Sequence, residues 1–188
     1  MKQVISHRAS GILLHISSLP SPHGIGDLRH AHDFIDFLAG CGQSYWQILP
    51  LNPTSPHFGN SPYMSYSAFA GNPLFISPDL LLEEGLLGHD DLVHSEFSEY
   101  TVEYDRVIPW KAELLAKAWR RFREQGGHDE FQAFRRREKW LADHSLFMAL
   151  KERFDSAPWY EWPEDLRCAN RKSMGVAAAE LSERIEYF

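Results

Sequence analysis

Two short apolar runs, "SGILLHI" (residues 10–16) and "SYWQILP" (residues 44–50), stand on either side of one amphipathic segment, and this arrangement most restricts the fold. Between them, "SSLPSPHGIG" is turn chemistry. Asp27 is placed as an N-cap, and Ala31, Phe34, Ile35 and Leu38 fall on one helical face. Gly40 and Gly42 stop that helix. Strand, helix and strand with short joints make a βαβ unit, whose strands are parallel neighbours because the helix carries the chain back to the end from which it left. A first run that is almost wholly apolar fits a strand covered on both faces. Two parallel strands are too little sheet for a domain, so the pair reads as the opening of a larger α/β structure.

After Pro50 the pattern changes. Residues 51–73 form a long loop rich in Pro, Gly, Asn and Ser. "PLFISPDLLLEEGLL" predicts a brief strand and a short helix beginning near Ser77 or Asp79. From about Asp105 the chain reads as nearly all helical. "RVIPWKAELLAKAWRRFREQ" ends at Gly126 and Gly127, and "DEFQAFRRREKWLADHSLFMALKERF" follows as one helix or two. "APWYEWPEDLR" is a proline-broken aromatic turn leading to a small helix near Glu164. "GVAAAELSERIEYF" predicts a single final helix without a Gly or Pro stop, so the expectation is a chain cut inside a helix.

Charge and cysteine usage narrow the function classes. A formal net charge of −7 argues against a nucleic-acid partner, since phosphate binding needs a basic face. The one basic run, Arg135 to Arg137, lies among glutamates and reads as a solvated helix face. Cys41 and Cys168 are far apart and lack metal-site spacing, which points to a reducing compartment and to no disulfide framework. No run has the length of a signal-peptide core or of the ~20 apolar residues of a membrane span, so a cytoplasmic location without a membrane partner is expected. "HGIGDLR" invites a dinucleotide reading, but Arg29 stands where the third glycine belongs and no acidic residue ends the second strand. His30 and His32, two apart on a helix, point to different faces and read as surface residues. The acidic pairs Glu83-Glu84 and Asp90-Asp91 read as helix-start and surface groups, and no nucleophile–base set stands out.

The loop after the second run is the stronger candidate site. "GNSPYMSYSAFAGNP" sets Tyr63, Tyr66 and Phe69 among small residues, where Pro62, Gly71 and Pro73 allow at most about two helical turns. It reads as a loop with a helical turn. Ligands of α/β sheets and barrels sit at the carboxyl ends of strands, where this loop begins. Ring faces beside hydroxyl and amide groups suit a sugar, which stacks its C–H face and hydrogen-bonds its hydroxyls. Tyr66 and Phe69 read as fillers between sheet and helices, whereas Tyr63, held by Ser61 and Pro62, reads as a ligand contact.

"RASGILLHISSLPSPHGIGDL", "GQSYWQILPLNPT", "SPYMSYSAFAGNPLFI" and "PWYEWPEDLR" closely resemble, in order and over nearly the whole chain, the 4-α-glucanotransferases, or amylomaltases, of the α-amylase clan. The resemblance implies the N-terminal part of a (β/α)8 barrel, with its first two strands at residues 10–16 and 44–49. Residues 1–65 would begin the catalytic barrel, 66–155 would form a mainly helical inserted subdomain, and 156–188 would return towards an incomplete barrel. It implies a retaining double displacement on α-1,4-glucans, with maltooligosaccharides and glycogen- or starch-like glucans as partners and no cofactor. An aspartate attacks the anomeric carbon, a glutamate protonates the leaving oxygen, and the 4-hydroxyl of a second glucan collects the glucosyl group. In the family these carboxylates, with a third that holds the donor sugar, lie on later strands, so no residue here matches a catalytic one and the chain alone is expected to be inactive. A barrel of this kind needs about 250 residues before insertions. Ser61 and Tyr63 match the family's donor-side serine and tyrosine, the tyrosine stacking on the transferred sugar. Trp46 is expected in barrel packing. The rival readings are a hydrolytic amylase of the clan, a non-catalytic glucan-binding fragment and a helical interaction protein.

Overall fold

The computed structural model of the chain describes residues 8–93, 96–126 and 128–188. The expectation of no leader rests partly on residues 1–7, and one of the two glycine stops is Gly127; both lie outside the described residues. The chain forms two compact units, one ending at Gln125 and the other beginning at Gly126.

The first unit opens with the βαβ element. β1 (Gly11–Leu13) and β2 (Tyr45–Gln47) are parallel, with Gly11 opposite Tyr45 and Leu13 opposite Gln47. A Cβ on Gly11 would stand 2.4 Å from the Tyr45 carbonyl oxygen, so the strands approach where only glycine fits. All three residues of β1 are exposed, contrary to the expectation of a strand covered on both faces. Full cover needs further strands and a helical layer on each face, and two strands with one crossover helix supply less than that. The helix is α1 (Leu28–Gly40), capped as expected: Asp27 Oδ1 accepts from the Arg29 and His30 backbone N–H groups at 3.0 and 3.4 Å. Ala31 and Leu38 are buried, and Phe34 meets Trp46 edge-on at 5.0 Å. Trp46 packs against the apolar core of this unit and donates its indole N–H to the Leu14 carbonyl at 2.8 Å. Ile35, on the same predicted stripe, is exposed.

The segment expected to be a strand after the long loop is a 3-10 turn, Pro73–Phe75. Pro73 has no N–H for a ladder and its fixed φ suits a first helical turn. The Asn72 side chain caps that turn, accepting from Leu74 N at 3.0 Å. α2 (Pro78–Glu83) follows from Ser77, close to the expected start. Leu74 and Phe75 join Ile16, Leu19, Ile25, Ala31 and Val107 in one apolar core.

α3 (Tyr104–Gln125) closes the unit with a buried stripe of Val107, Lys111, Leu114 and Ala118. The lysine in that stripe is held by backbone: its ammonium donates to the Leu74 carbonyl at 2.6 Å and to the Ile76 carbonyl at 2.9 Å. Burial pushes Lys111 down to about 8, against the field of Asp27 and Asp79. Beside it His23 stacks on Trp110, centroids 5.6 Å apart, and its Nε2 lies 3.1 Å from Asp79 Oδ1. Arg29 and Glu83 pair between α1 and α2. Further along, Asp91 accepts from Gly88 N and from Arg121 of α3, which hold its carboxyl at about 2.

The second unit is helical: α4 (Asp129–Arg137), α5 (Leu141–Arg153), a 3-10 turn at Trp159–Glu161, α6 (Glu164–Arg167), α7 (Arg171–Glu180) and α8 (Ser182–Tyr187). Leu150, Trp162 and Ala177 form its buried core, with Phe147, Phe154, Met174 and Leu181 packed around them. α5 ends in a turn with Asp155 and Ser156 at positive φ, and the buried Lys151 ammonium gathers the Ser156 carbonyl at 2.7 Å. The single terminal helix expected from the sequence is two. α7 starts earlier, under an Asn170 cap that accepts from Lys172 N and Ser173 N, and Leu181 leaves helical geometry at φ −100°, ψ 14°. Leu181 packs on the core, and Arg184 of α8 reaches Glu152 of α5 with two 2.6 Å bonds, so tertiary contacts break the helix where no Gly or Pro does.

Because Lys111 has a lower pKa folded than its ordinary 10.5, the unfolded chain holds more protons between pH 8 and 10.5 and stability rises with pH in that window. A urea titration repeated across it should show a gain of at most roughly 3 kcal/mol that is absent from Lys111→Met.

Candidate functional site

The two loops that leave the carboxyl ends of β1 and β2 differ in what their side chains are free to do. After β1, His15 turns its ring edge-on to Phe75 at 5.3 Å, and burial lowers its pKa. The chain then makes a 3-10 turn, Ile16–Ser18, and runs to the Asp27 cap. The glycines that suggested a dinucleotide loop are there for packing. A Cβ on Gly26 would lie 2.0 Å from the Ile16 carbonyl oxygen, and Gly24, at φ +74°, has the Phe97 ring 2.5 Å from where its Cβ would stand. Asp27 is fully buried and committed to the helix cap and to the His30 ring at 2.8 Å. His30 is therefore tied to a buried partner, whereas His32 is exposed.

After β2 the chain makes a loop closed at its neck by two bonds of one residue. Asn72 N donates to the Leu51 carbonyl at 2.8 Å, and its side-chain amide donates to Thr54 Oγ1 at 3.2 Å. Inside the neck Ser55 is a buried hub. Its hydroxyl caps the 3-10 turn Pro56–Phe58 through His57 N at 3.3 Å and accepts from the Tyr66 hydroxyl at 3.0 Å. Gly59 and Asn60 follow with left-handed φ of 62° and 54°, and Asn60 N returns to the Ser55 carbonyl at 2.9 Å. The helical turns of this region are thus at its two ends, not across Tyr63 to Phe69.

Ser61 and Tyr63 share a β-turn. Met64 N donates to the Ser61 carbonyl at 3.2 Å, Pro62 takes the position where its fixed φ is favoured, and Ser61 Oγ accepts from Tyr63 N at 3.3 Å. The turn thrusts Tyr63 outward with 71% of its surface exposed. Tyr66 is the half-buried member of the set, its ring 6.1 Å from Phe58. Phe69, expected to fill the interior, is 74% exposed. Ser67 Oγ accepts from both Phe69 N and Ala70 N at 3.1 Å, and this tight turn sends Ala70 into the core and Phe69 outward. Phe58, Tyr63, Met64 and Phe69 together give the loop an exposed apolar rim.

Sequence reasoning passed over Asn72 and Lys111. Their signals were present: an Asn-Pro pair at the start of a turn, and a lysine at the spacing of an otherwise apolar helix stripe (107, 111, 114, 118). In the second unit a cavity of about 390 Å³ is lined mainly by apolar groups of Phe147, Leu150, Trp159, Trp162 and Met174, all but Trp159 from that unit's core cluster and its packing shell. Among the described residues no group of three or more His, Cys, Asp or Glu side chains could hold a metal ion, and no helix is long and apolar enough to cross a membrane.

Residues 14–188 match the family model described as 4-alpha-glucanotransferase. The chain is 46% identical over 182 residues to the 4-alpha-glucanotransferase of Aquifex aeolicus, and 44% identical over 185 residues to that of Thermus thermophilus. Each alignment covers 96% of this chain and 36% of the relative, so the chain spans about a third of the length of these relatives. An amylomaltase from Streptococcus agalactiae, solved in complex with acarbose, superposes with a TM-score of 0.87 at 38% identity, over 96% of this chain and 37% of that one.

Replacing Tyr66 by Phe removes one hydroxyl and leaves Ser55 without that donor. The expected loss is about 1 kcal/mol of loop order, read as roughly fivefold faster proteolytic nicking within residues 56–70.

Proposed function

The chain belongs to the 4-alpha-glucanotransferase family, and from that premise we propose that the complete protein transfers α-1,4-glucan segments between maltooligosaccharides by a retaining double displacement. The observation that carries this reading to a site is the Ser61–Met64 turn, which holds the Tyr63 ring outward on the loop that follows β2. An exposed ring beside hydroxyl groups offers a sugar a stacking face and hydrogen bonds at once. In this reading Tyr63 stacks on the donor sugar. Ser61 contributes chiefly by fixing the turn, since its hydroxyl already accepts from Tyr63 N.

β1 and β2 would be the first two strands of a (β/α)8 barrel, with 1–65 as its start, 66–155 as the helical insertion and 156–188 as the return. The exposed face of β1 and the exposed Ile35 and Phe37 of α1 are then surfaces for neighbouring barrel elements. The nucleophilic aspartate, the acid glutamate and the stabilising carboxylate would come from later strands. The acceptor 4-hydroxyl would give its proton back to the acid as it takes the glucosyl group. Glycogen- or starch-like glucans are the proposed polymeric substrates, and the cytoplasm is the proposed location, in keeping with two exposed, free cysteines.

In the native gene product, Tyr63→Ala should lower kcat/KM for maltotriose about tenfold, with Tyr63→Phe near the parent. Products longer than maltotriose, formed along with glucose, are the expected outcome; only shorter products would replace the transferase with a hydrolytic amylase. The 188-residue chain alone should release no glucose from maltotriose. Glucose release would overturn the assignment of the catalytic carboxylates to other strands. Saturable tryptophan quenching by maltooligosaccharides without turnover would support a glucan-binding role for this part.

A further inference from the structure

We propose that Lys111 is a positioning residue for the aromatic loop, acting through Asn72 to fix the neck at which the loop closes. This rests on the reading of Tyr63 as a glucan contact. The connection is a continuous series of hydrogen bonds. The Lys111 ammonium donates to the carbonyls of Leu74 and Ile76 at 2.6 and 2.9 Å. Leu74 N donates to Asn72 Oδ1 at 3.0 Å, and Phe75 N to the Asn72 carbonyl at 3.0 Å. Asn72 then spends its own N–H on Leu51 and its side-chain amide on Thr54. Asn72 thus serves the 3-10 turn with its two oxygens and the loop neck with its two nitrogens.

Elementary chemistry explains why a side chain with several N–H donors stands at the head of this series. The 3-10 turn Pro73–Phe75 and the start of α2 leave carbonyls that face the interior, where unpaired acceptors are costly. The charge-assisted bonds of one ammonium satisfy two of them at once. The groups that face Lys111 come from three elements: Asp27 at the cap of α1, Asp79 on α2, and His23 in the β1–α1 loop. The two carboxylates favour the charged lysine, and burial opposes it. Nothing in this set touches Tyr63 directly. Lys111 acts on the loop only by holding the segment to which Asn72 is anchored.

The test uses the native gene product and the variants Lys111→Met, Tyr63→Ala and the double variant. Amide exchange should be about tenfold faster across residues 55–72 in Lys111→Met, with the middle of α1 unchanged. Unchanged exchange in the loop of a folded Lys111→Met protein would overturn the proposal. KM for maltotriose should rise several-fold in Lys111→Met with kcat nearly constant. In the double variant it should rise no further than in Tyr63→Ala alone, because the ring through which Lys111 acts is gone. Additive effects on KM would also overturn the proposal. Faster loop exchange with no effect of Tyr63→Ala on KM would leave the positioning role standing and remove the glucan reading of the ring. Should Lys111→Met fail to fold, Lys111→Gln, which keeps a donor for one carbonyl, carries the same measurements.

Discussion

A buried ammonium on backbone carbonyls is the contact on which the first unit depends. Lys111 lies in the apolar stripe of α3 yet turns its charge to Leu74 and Ile76, whose carbonyls belong to the turn before α2. A buried cation costs several kcal/mol to desolvate, so it persists only where bonds and nearby carboxylates offset that cost. Here the bonds are short and the carboxylates are Asp27 and Asp79. Asp27 is itself buried as the cap of α1, so the charges that favour the lysine also terminate other elements. The turn and the long helix are thereby joined by hydrogen bonds inside an apolar core, and the cap of the crossover helix adds its field. The second unit repeats the device, with Lys151 on the Ser156 carbonyl at a left-handed turn.

The candidate site is built the opposite way, from short-range bonds that leave large rings outside. Ser55, Ser61 and Ser67 each accept backbone N–H groups within a few residues, and each fixes a turn. Such turns need no core of their own, so the loop can hold shape while exposing Tyr63 and Phe69. Its neck, at Asn72 and Leu51, and the buried Ala70 tie it to the core. For the glucan contact proposed above, turns of this kind would keep stacking area available without the entropy of ordering a flexible segment.

Much of the local structure was legible in the residues. The Asp27 cap, the parallel pair, the start of α2 and the helical character of the second unit follow from caps, turn formers and apolar spacing. The hold of Ser61 and Pro62 on Tyr63 was legible because serine and proline at those positions act on their own neighbours, although the expected helical turn there is a β-turn. The misses share a different cause. The apolar "PLFI" read as a strand became a 3-10 turn because Pro73 cannot pair and Lys111, some thirty-five residues later, waits for its carbonyls. The terminal helix breaks at Leu181 because α5 recruits both that side chain and Arg184. Phe69 was placed inside by its hydrophobicity, and a serine two residues earlier turned it out.

What the amino-acid sequence determined by itself is the βαβ opening, the Asp27 cap and the family to which the chain belongs, since these depend on bonds closed within a few residues and on long motifs. Tertiary structure alone decided which apolar side chains are covered, which carbonyls a lysine would satisfy and which rings would face outward. The physical reason is that burial is a property of partners: Ile35 and Leu38 share a helical face in sequence, yet only Leu38 is buried.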